Sequence, residues 1–120
     1  MKKNILILVC CLSCCFCYAQ DFTGIWEGDL EVQNTKIPLV FKIKKDSVYT
    51  STMDSPDQGA KDVLVDVTTV KGSVVTFSIK NSGIFYEGKI ENDSLISGTF
   101  KQGVAILPLD LIKKKINPKE

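Results

Sequence analysis

The sequence predicts an all-β fold, an eight-stranded antiparallel up-and-down barrel, with a two-sheet sandwich as the alternative. From Phe22 onward, apolar and polar residues alternate with a period of two, and turn residues interrupt each short run. No stretch beyond that point keeps a helical period. Eight consecutive antiparallel strands favour closure, because a closed barrel has no unpaired sheet edge.

The first four predicted strands follow from this alternation and from the turns between its runs. The first strand covers about 24–32, and Asn34-Thr35 is expected to turn the chain into the second. The connection 54–61 is predicted to be a loop because it holds a proline and a glycine. The residues expected to face the interior are Trp26, Leu30 and Val32; Ile37, Leu39, Phe41 and Ile43; Tyr49, Ser51 and Met53; and Val63, Val65 and Val67.

Four more strands complete the predicted barrel. Turn residues at 71–73, 80–83, Asn92-Asp93 and Gln102-Gly103 separate them. Pro108 has no backbone N–H, so the last strand is expected to lie at an edge or a bulge there. The expected inward residues are Val75, Phe77 and Ile79; Ile84, Tyr86 and Ile90; Ile96 and Phe100; and Ala105, Leu107, Leu109 and Leu111.

Three glycines fall on the predicted inward face, in the related runs Trp26-Glu27-Gly28, Tyr86-Glu87-Gly88 and Ile96-Ser97-Gly98. A strand glycine makes room for a large neighbour, permits sharp curvature or lets a ligand approach the backbone. We expect the structural role, because the inward residues include many large side chains. These side chains also predict a mostly filled interior, with at most a shallow pocket at one mouth.

The N-terminal residues have the pattern of a cleavable export signal. Lys2 and Lys3 precede an apolar run that ends at Ala19, and all five cysteines lie between Cys10 and Cys17. The run is shorter than the about 20 residues that a membrane-spanning helix needs. We therefore expect a signal peptide at 1–19, no transmembrane span, and a periplasmic or secreted protein. The alternative is a lipoprotein, lipidated at Cys14.

Composition argues against several classes of function. The chain has no histidine, its 15 basic residues are all lysine, and its net charge is +1. Without a basic stripe, nucleic acid is not an expected partner. Once the signal is removed, the chain has neither thiol nor imidazole, so a classical catalytic triad and the usual zinc ligands are missing. The aspartates at positions 54, 57, 62 and 66 do not fit the calcium-loop spacing. We expect no enzyme activity, no metal and no cofactor.

The first predicted strand opens with Gly24-Ile25-Trp26, which resembles the G-x-W start of lipocalins and other calycins. The resemblance implies that Gly24 and Trp26 plug one end of the barrel. It also implies that a basic residue of the last strand, from the lysines at 113–115, covers the tryptophan.

A longer resemblance covers nearly all of the chain after the signal. The segments Phe22–Gly28, Tyr49–Ala60, Tyr86–Gly88 and Gly98–Gln102 resemble the N-terminal β domain of secreted α/β-hydrolases from Bacteroidetes-type bacteria. The run Met53-Asp-Ser-Pro-Asp-Gln-Gly carries the most weight. At the predicted fourth strand the sequence departs from the family, with Val-Leu where Ile-Pro is usual. The resemblance implies a non-catalytic domain that precedes a serine hydrolase of esterase or aminopeptidase type.

These observations lead to two functional hypotheses. The first is an exported, non-catalytic β-barrel domain at 20–112, followed by a charged linker-like tail at 113–120. The chain would then be either a free-standing copy of the domain or the product of a reading frame that ends early. Its partner would be a hydrolase domain, contacted through the loop that holds Asp54, Pro56, Asp57, Gln58 and Gly59. The alternative is an envelope carrier of a small apolar ligand, which needs an open cavity with an apolar lining.

Overall fold

A computed structural model of the protein describes residues 21–115. The predicted signal peptide, including Cys14 and the cleavage site after Ala19, lies outside these residues, as does the end of the predicted tail. The described chain forms nine antiparallel strands in one curled, barrel-like sheet, so the all-β prediction is confirmed and the two-sheet alternative does not form. None of the described helices is long and apolar enough to cross a membrane.

The strands are β1 (Gly24–Val32), β2 (Thr35–Lys45), β3 (Tyr49–Ser55), β4 (Ala60–Leu64), β5 (Val67–Lys71), β6 (Val74–Ile79), β7 (Ile84–Asn92), β8 (Leu95–Gln102) and β9 (Ala105–Lys113).

The strands follow one another as an up-and-down meander whose first and last strands are neighbours. Their order across the sheet is β4-β3-β2-β1-β9-β8-β7-β6-β5, so the predicted closure is wrong: β4 and β5 are edge strands that do not pair with each other. The β1–β9 ladder is short and joins Trp26 to Lys113 and Glu27 to Ile112. Pro108 lies in the part of β9 that pairs with β8 only, which agrees with its lack of an N–H. The last strand reaches Lys113, one residue into the predicted tail.

The predicted count of eight strands is wrong, because the fourth strand divides at Val65-Asp66 into β4 and β5. β4 pairs with β3, whereas β5 pairs with β6. At the division, the amide of Val65 donates to the carbonyl of Ser51 at 3.1 Å, and the Asp66 carboxylate accepts from the amide of Lys80 at 2.6 Å. The Asp66 side chain therefore accepts the hydrogen bond that a backbone carbonyl would otherwise accept from Lys80. At this point the chain stops pairing with β3 and begins to pair with β6.

The same division reverses the alternation that the sequence predicts. Val67 was expected to face inward but is 42% exposed, whereas Val70 packs against the core. A displacement by one residue exchanges the two faces of a strand, so an interruption at Asp66 has this effect on all of β5. The hydroxyls of Ser51 and Thr68 lie 2.6 Å apart and join the two sheet edges beside the division.

Aromatic side chains fill the centre of the barrel. The rings of Phe41 and Phe77 stack with centroids 4.4 Å apart, and Tyr86 stacks on both. The Tyr86 hydroxyl donates to the carbonyl of Leu109 at 2.8 Å. Burial, together with the nearby charge of Asp110, raises the pKa of Tyr86 far above its ordinary value, so the hydroxyl stays a donor. The interior is thus mostly filled, as the sequence predicts.

The strand glycines make room for this aromatic centre. A Cβ on Gly98 would overlap the hydroxyl and ring of Tyr86, and a Cβ on Gly88 would lie 2.7 Å from the same hydroxyl. A Cβ on Gly28 would overlap the carbonyl of Asp110. The structural role predicted for these three glycines is confirmed.

The turn into β2 lies one residue earlier than predicted, at Gln33-Asn34 instead of Asn34-Thr35. Both residues have positive φ, 51° and 65°, as in a type I′ turn. This turn matches the right-handed twist of the strands that it joins, and it sets the pairing of Val32 with Thr35.

Gly98→Ala is expected to lower the free energy of unfolding by about 1–3 kcal/mol, because the added methyl group overpacks the core against Tyr86. The cost should be partly relieved in a Tyr86→Phe background, where the hydroxyl is gone but the ring and the Glu87 carbonyl still crowd the methyl group. Urea unfolding of the two single variants and the double variant measures this coupling. Thr99→Ala, at the exposed neighbouring position, is the control and should change stability little. Equal costs of Gly98→Ala in both backgrounds would contradict this account of the glycine.

Candidate functional site

The candidate site is a pocket of about 360 Å³ at one end of the barrel. This end, called the mouth, carries the turns β1–β2, β6–β7 and β8–β9 and the β3–β4 connection. Trp26 lies at the opposite end. The pocket (the mouth pocket) is lined mainly by apolar side chains and by four neutral polar ones: Leu30, Val32, Ile37, Leu39, Met53, Ala60, Val63, Ile84, Phe100, Ala105 and Leu107, with Ser55, Gln58, Ser82 and Gln102.

Strand alternation provides the apolar surface of the mouth pocket. Leu30 and Leu39 on β1 and β2, and Phe100 on β8, are almost fully buried, so they form the inner part of the pocket. Toward the turns, Val32 and Leu107 are only partly buried. The apolar surface therefore extends from the filled core to the solvent at the mouth.

One edge strand of the sheet, β4, borders the pocket. β4 has a strand partner on one side only, and two lining residues of β4, Ala60 and Val63, stand on one wall. Ser82 and Ile84, at the β6–β7 turn and the start of β7, stand on another. Because the chain leaves β4 at Val65-Asp66 and pairs with β6 as β5, the described structure has no ladder between β4 and β6.

Two glutamines carry the polar edge of the mouth pocket, and each is held by a serine residue. The buried Ser55 hydroxyl donates to Gln58 Oε1 at 2.6 Å. On the other wall, Gln102 Nε2 donates to the Ser82 carbonyl at 3.1 Å. No residue that lines the pocket in the described part of the chain is charged.

The predicted interaction loop lies at the mouth, but only part of it reaches the pocket. Pro56–Gln58 form a 3₁₀ helix, and Gly59 ends it with φ 71° and an amide that donates to the Pro56 carbonyl at 3.1 Å. The positive φ explains the glycine. Gln58 lines the mouth pocket, whereas Asp57 is exposed and does not.

Asp54 holds the base of this loop and does not line the mouth pocket. Its carboxylate accepts from the amide of Asp62 at 2.7 Å and lies 3.0 Å from Lys42 Nζ, which also contacts Asp62 at 3.1 Å. Partial burial acts to raise the pKa of Asp54, but the Asp62 amide and the Lys42 ammonium outweigh it and leave this pKa below its ordinary value. The two carboxylates raise the pKa of Lys42. The ionised carboxylate of Asp54 thus holds the base of the loop in place.

The predicted plug residues lie together at the end opposite the mouth. Trp26 is fully buried, and its indole N–H donates to the Phe22 carbonyl at 2.9 Å. Lys113 Nζ lies 5.6 Å from the centroid of the Trp26 ring, within the range of a cation–π contact. A Cβ on Gly24 would lie 2.8 Å from Lys113 Cε, and φ at Gly24 is 126°, so both space and backbone favour glycine there.

Sequence reasoning did not identify most of the mouth pocket. Ser82 and Gln102 were assigned only to turns, and the apolar lining only to the core. These residues are far apart in the chain and meet through strand pairing, so no short motif marks them. The one local signal was the run Met53–Gly59, which contributes Met53, Ser55 and Gln58 to the lining.

An exposed apolar patch lies beside the mouth pocket. Val104, at the tip of the β8–β9 turn, is 100% exposed, and its neighbour Ile106 is 66% exposed. Ala105 between them lines the pocket. Phe85, which is 38% exposed, lies two strands from Ile106, and the exposed Lys101 stands between them. Within residues 21–115, no group of three or more acidic side chains could hold a metal ion.

No family model, curated protein or solved structure matches this chain. The resemblances to calycins and to the hydrolase domain therefore stay predictions that depend on the residues that carry them.

Asp54→Asn is expected to lower the melting temperature by a few degrees near neutral pH, because it removes the charge that pairs with Lys42. The pKa of Asp54 is lowered by folding, so its stabilisation is complete above the ordinary value of 3.8 and is lost as the pH falls through the lowered pKa. The difference from wild type should be full near about pH 6 and shrink toward about pH 2. Thermal unfolding followed by circular dichroism measures it.

Asp57→Asn, in the same loop, is the matched control and should have little effect at any pH. A difference for Asp54→Asn that does not change with pH, or one that Asp57→Asn reproduces, would show that the Asp54 charge does not hold the loop.

Proposed function

We propose that this chain is an exported, non-catalytic β-barrel binding domain whose mouth pocket takes a small apolar molecule. One observation carries the proposal: the barrel is filled with aromatic rings at its centre and plugged at the Trp26 end, yet keeps an apolar pocket of about 360 Å³ at the mouth. Ligand pockets typically measure about 300–1,000 Å³ and have such a lining with a few polar groups.

The energetics of the lining support binding of an apolar group. Apolar surface removed from water contributes about 25 cal/mol per Å². A ligand that covers the apolar lining of the mouth pocket, which includes Leu30 and Leu107, therefore gains affinity without any charged contact. The scaffold around the pocket is set by strand pairing, so little ordering is needed when a ligand binds. The absence of imidazole and thiol from residues 21–115 supports a non-catalytic role.

A neutral fluorescent probe, N-phenylnaphthylamine, is expected to bind with a micromolar Kd and a rise in emission. Ala105→Trp, which fills the pocket from β9, should weaken binding at least about tenfold, or about 1.4 kcal/mol. Fluorescence titration measures both constants.

Ile106→Trp is the matched control, because it adds the same ring at the next residue on the opposite face of β9. Its Kd should stay within about twofold of wild type, a change of less than 0.5 kcal/mol on the same scale. No binding to wild type, or equal loss in the two variants, would refute the proposed pocket function. Esterase or aminopeptidase turnover by the purified chain would refute the non-catalytic role.

A second candidate function is a domain that contacts a serine hydrolase at the mouth. Two observations favour it. The exposed side chains of Val104 and Ile106 lie beside the pocket. The Met53–Gly59 run, which carries the resemblance to hydrolase-associated domains, lies at the same end. Exposed apolar residues that cluster in this way are typical of interaction surfaces.

If this candidate is correct, the purified chain should bind a separately expressed hydrolase domain of that family. Val104→Asp should weaken binding at least about fivefold, or about 1 kcal/mol, because it places a charge in the apolar contact. Isothermal titration calorimetry measures the affinity. Val48→Asp, at an exposed valine of the opposite end, is the control. Equal affinities of the two variants would place the contact elsewhere.

A further inference from the structure

We infer that the mouth pocket selects ligands with an uncharged head group that both donates and accepts hydrogen bonds, such as a primary amide or an alcohol, over the matching carboxylate or ammonium. The inference rests on the proposed function and specifies the chemical class of the ligand.

The first support is the lack of charge around the pocket. All fifteen lining residues are apolar or neutral. The nearest loop charges in sequence, Asp57 and Lys61, flank Gln58 and Ala60 without lining the pocket. A charged head at the edge of the pocket would lose part of its hydration to the apolar walls and gain no opposite charge from the lining, which disfavours it relative to a neutral head.

The second support is the way in which Ser55 fixes Gln58. The Ser55 hydroxyl is buried and donates to Gln58 Oε1 at 2.6 Å. With its oxygen engaged by a donor, the Gln58 amide presents its Nε2 hydrogens as donors on this wall.

Gln102 adds an acceptor on the other wall, and one of its two Nε2 hydrogens stays available as a donor. Its Nε2 donates to the Ser82 carbonyl at 3.1 Å, so its Oε1 accepts on the other wall. The mouth therefore offers a donor from the 3₁₀ helix and an acceptor from the end of β8. A primary amide or a hydroxyl satisfies both groups, whereas a carboxylate only accepts and an ammonium only donates.

The apolar part of such a ligand would lie deeper in the pocket. Leu30, Leu39 and Phe100 form the inner surface, and none of them has a polar side-chain atom. The polar contacts of Gln58 and Gln102 are near the solvent, because both residues are exposed. A ligand thus enters with its chain inward and its head at the edge.

The experiment compares four ligands that share one octyl-type chain: octanamide, octanol, octanoate and octylamine, each in competition with N-phenylnaphthylamine at neutral pH. We expect the amide and the alcohol to displace the probe at concentrations at least about fivefold lower than the carboxylate and the ammonium, a difference of about 1 kcal/mol. Gln58→Lys should reverse the order of octanamide and octanoate, because it adds a cation at the head position.

Gln33→Lys adds the same charge at the β1–β2 turn, at the mouth but outside the lining, and should leave the order unchanged. Equal displacement by all four ligands, or a reversal that Gln33→Lys reproduces, would overturn the inference while leaving the pocket function intact. If N-phenylnaphthylamine itself does not bind wild type, the proposed function fails, and the inference fails with it.

Discussion

The division of the fourth predicted strand at Val65-Asp66 determines the rest of the architecture. There the chain leaves β3 and joins β6, and the Asp66 carboxylate takes the hydrogen bond from the Lys80 amide that a strand partner would otherwise receive. With the Ser51–Thr68 contact, this brings the two edges of the sheet together on one side of the division. Between the division and the mouth, β4 pairs with β3 but has no strand partner on its other side. The interruption at Asp66 thus lies between the contact of the two sheet edges on one side and the unpaired side of β4 on the other.

The two ends of the barrel differ for a related reason. At the Trp26 end, β1 and β9 pair through Trp26 and Lys113, and the lysine covers the indole ring. Toward the mouth, Pro108 lies in the part of β9 that pairs with β8 alone. Between the ends, the stack of Phe41, Phe77 and Tyr86 occupies the interior. The described structure therefore has one end filled by Trp26, an aromatic centre and an opposite end with an apolar pocket, and this difference is the basis of the binding function that we propose.

Much of the fold was predictable because it depends on local patterns. The period of two identified nearly every buried strand residue, from Trp26 to Leu111, and the crowding by Tyr86 explains the glycines at 88 and 98. The strand division was not predicted, because the bond between Asp66 and Lys80 joins residues that no local rule pairs, and Val67 was consequently assigned to the wrong face. The mouth pocket was missed for the same reason. Ser82 and Gln102 line the same pocket as Ser55 and Gln58 only because the sheet is curled. Of these four residues, only Gln58 was identified from the sequence, as part of its loop.

The most direct test of this account is a two-dimensional NMR titration of the labelled protein with N-phenylnaphthylamine. We expect the backbone amides of Val32, Gln58, Ala60, Ile84 and Ala105, which surround the mouth, to shift. The Trp26 indole N–H, at the opposite end, should not shift. Shifts centred on Trp26 and Lys113, or spread evenly over the outer faces of the strands, would contradict the claim that the open end of the sheet is the binding site.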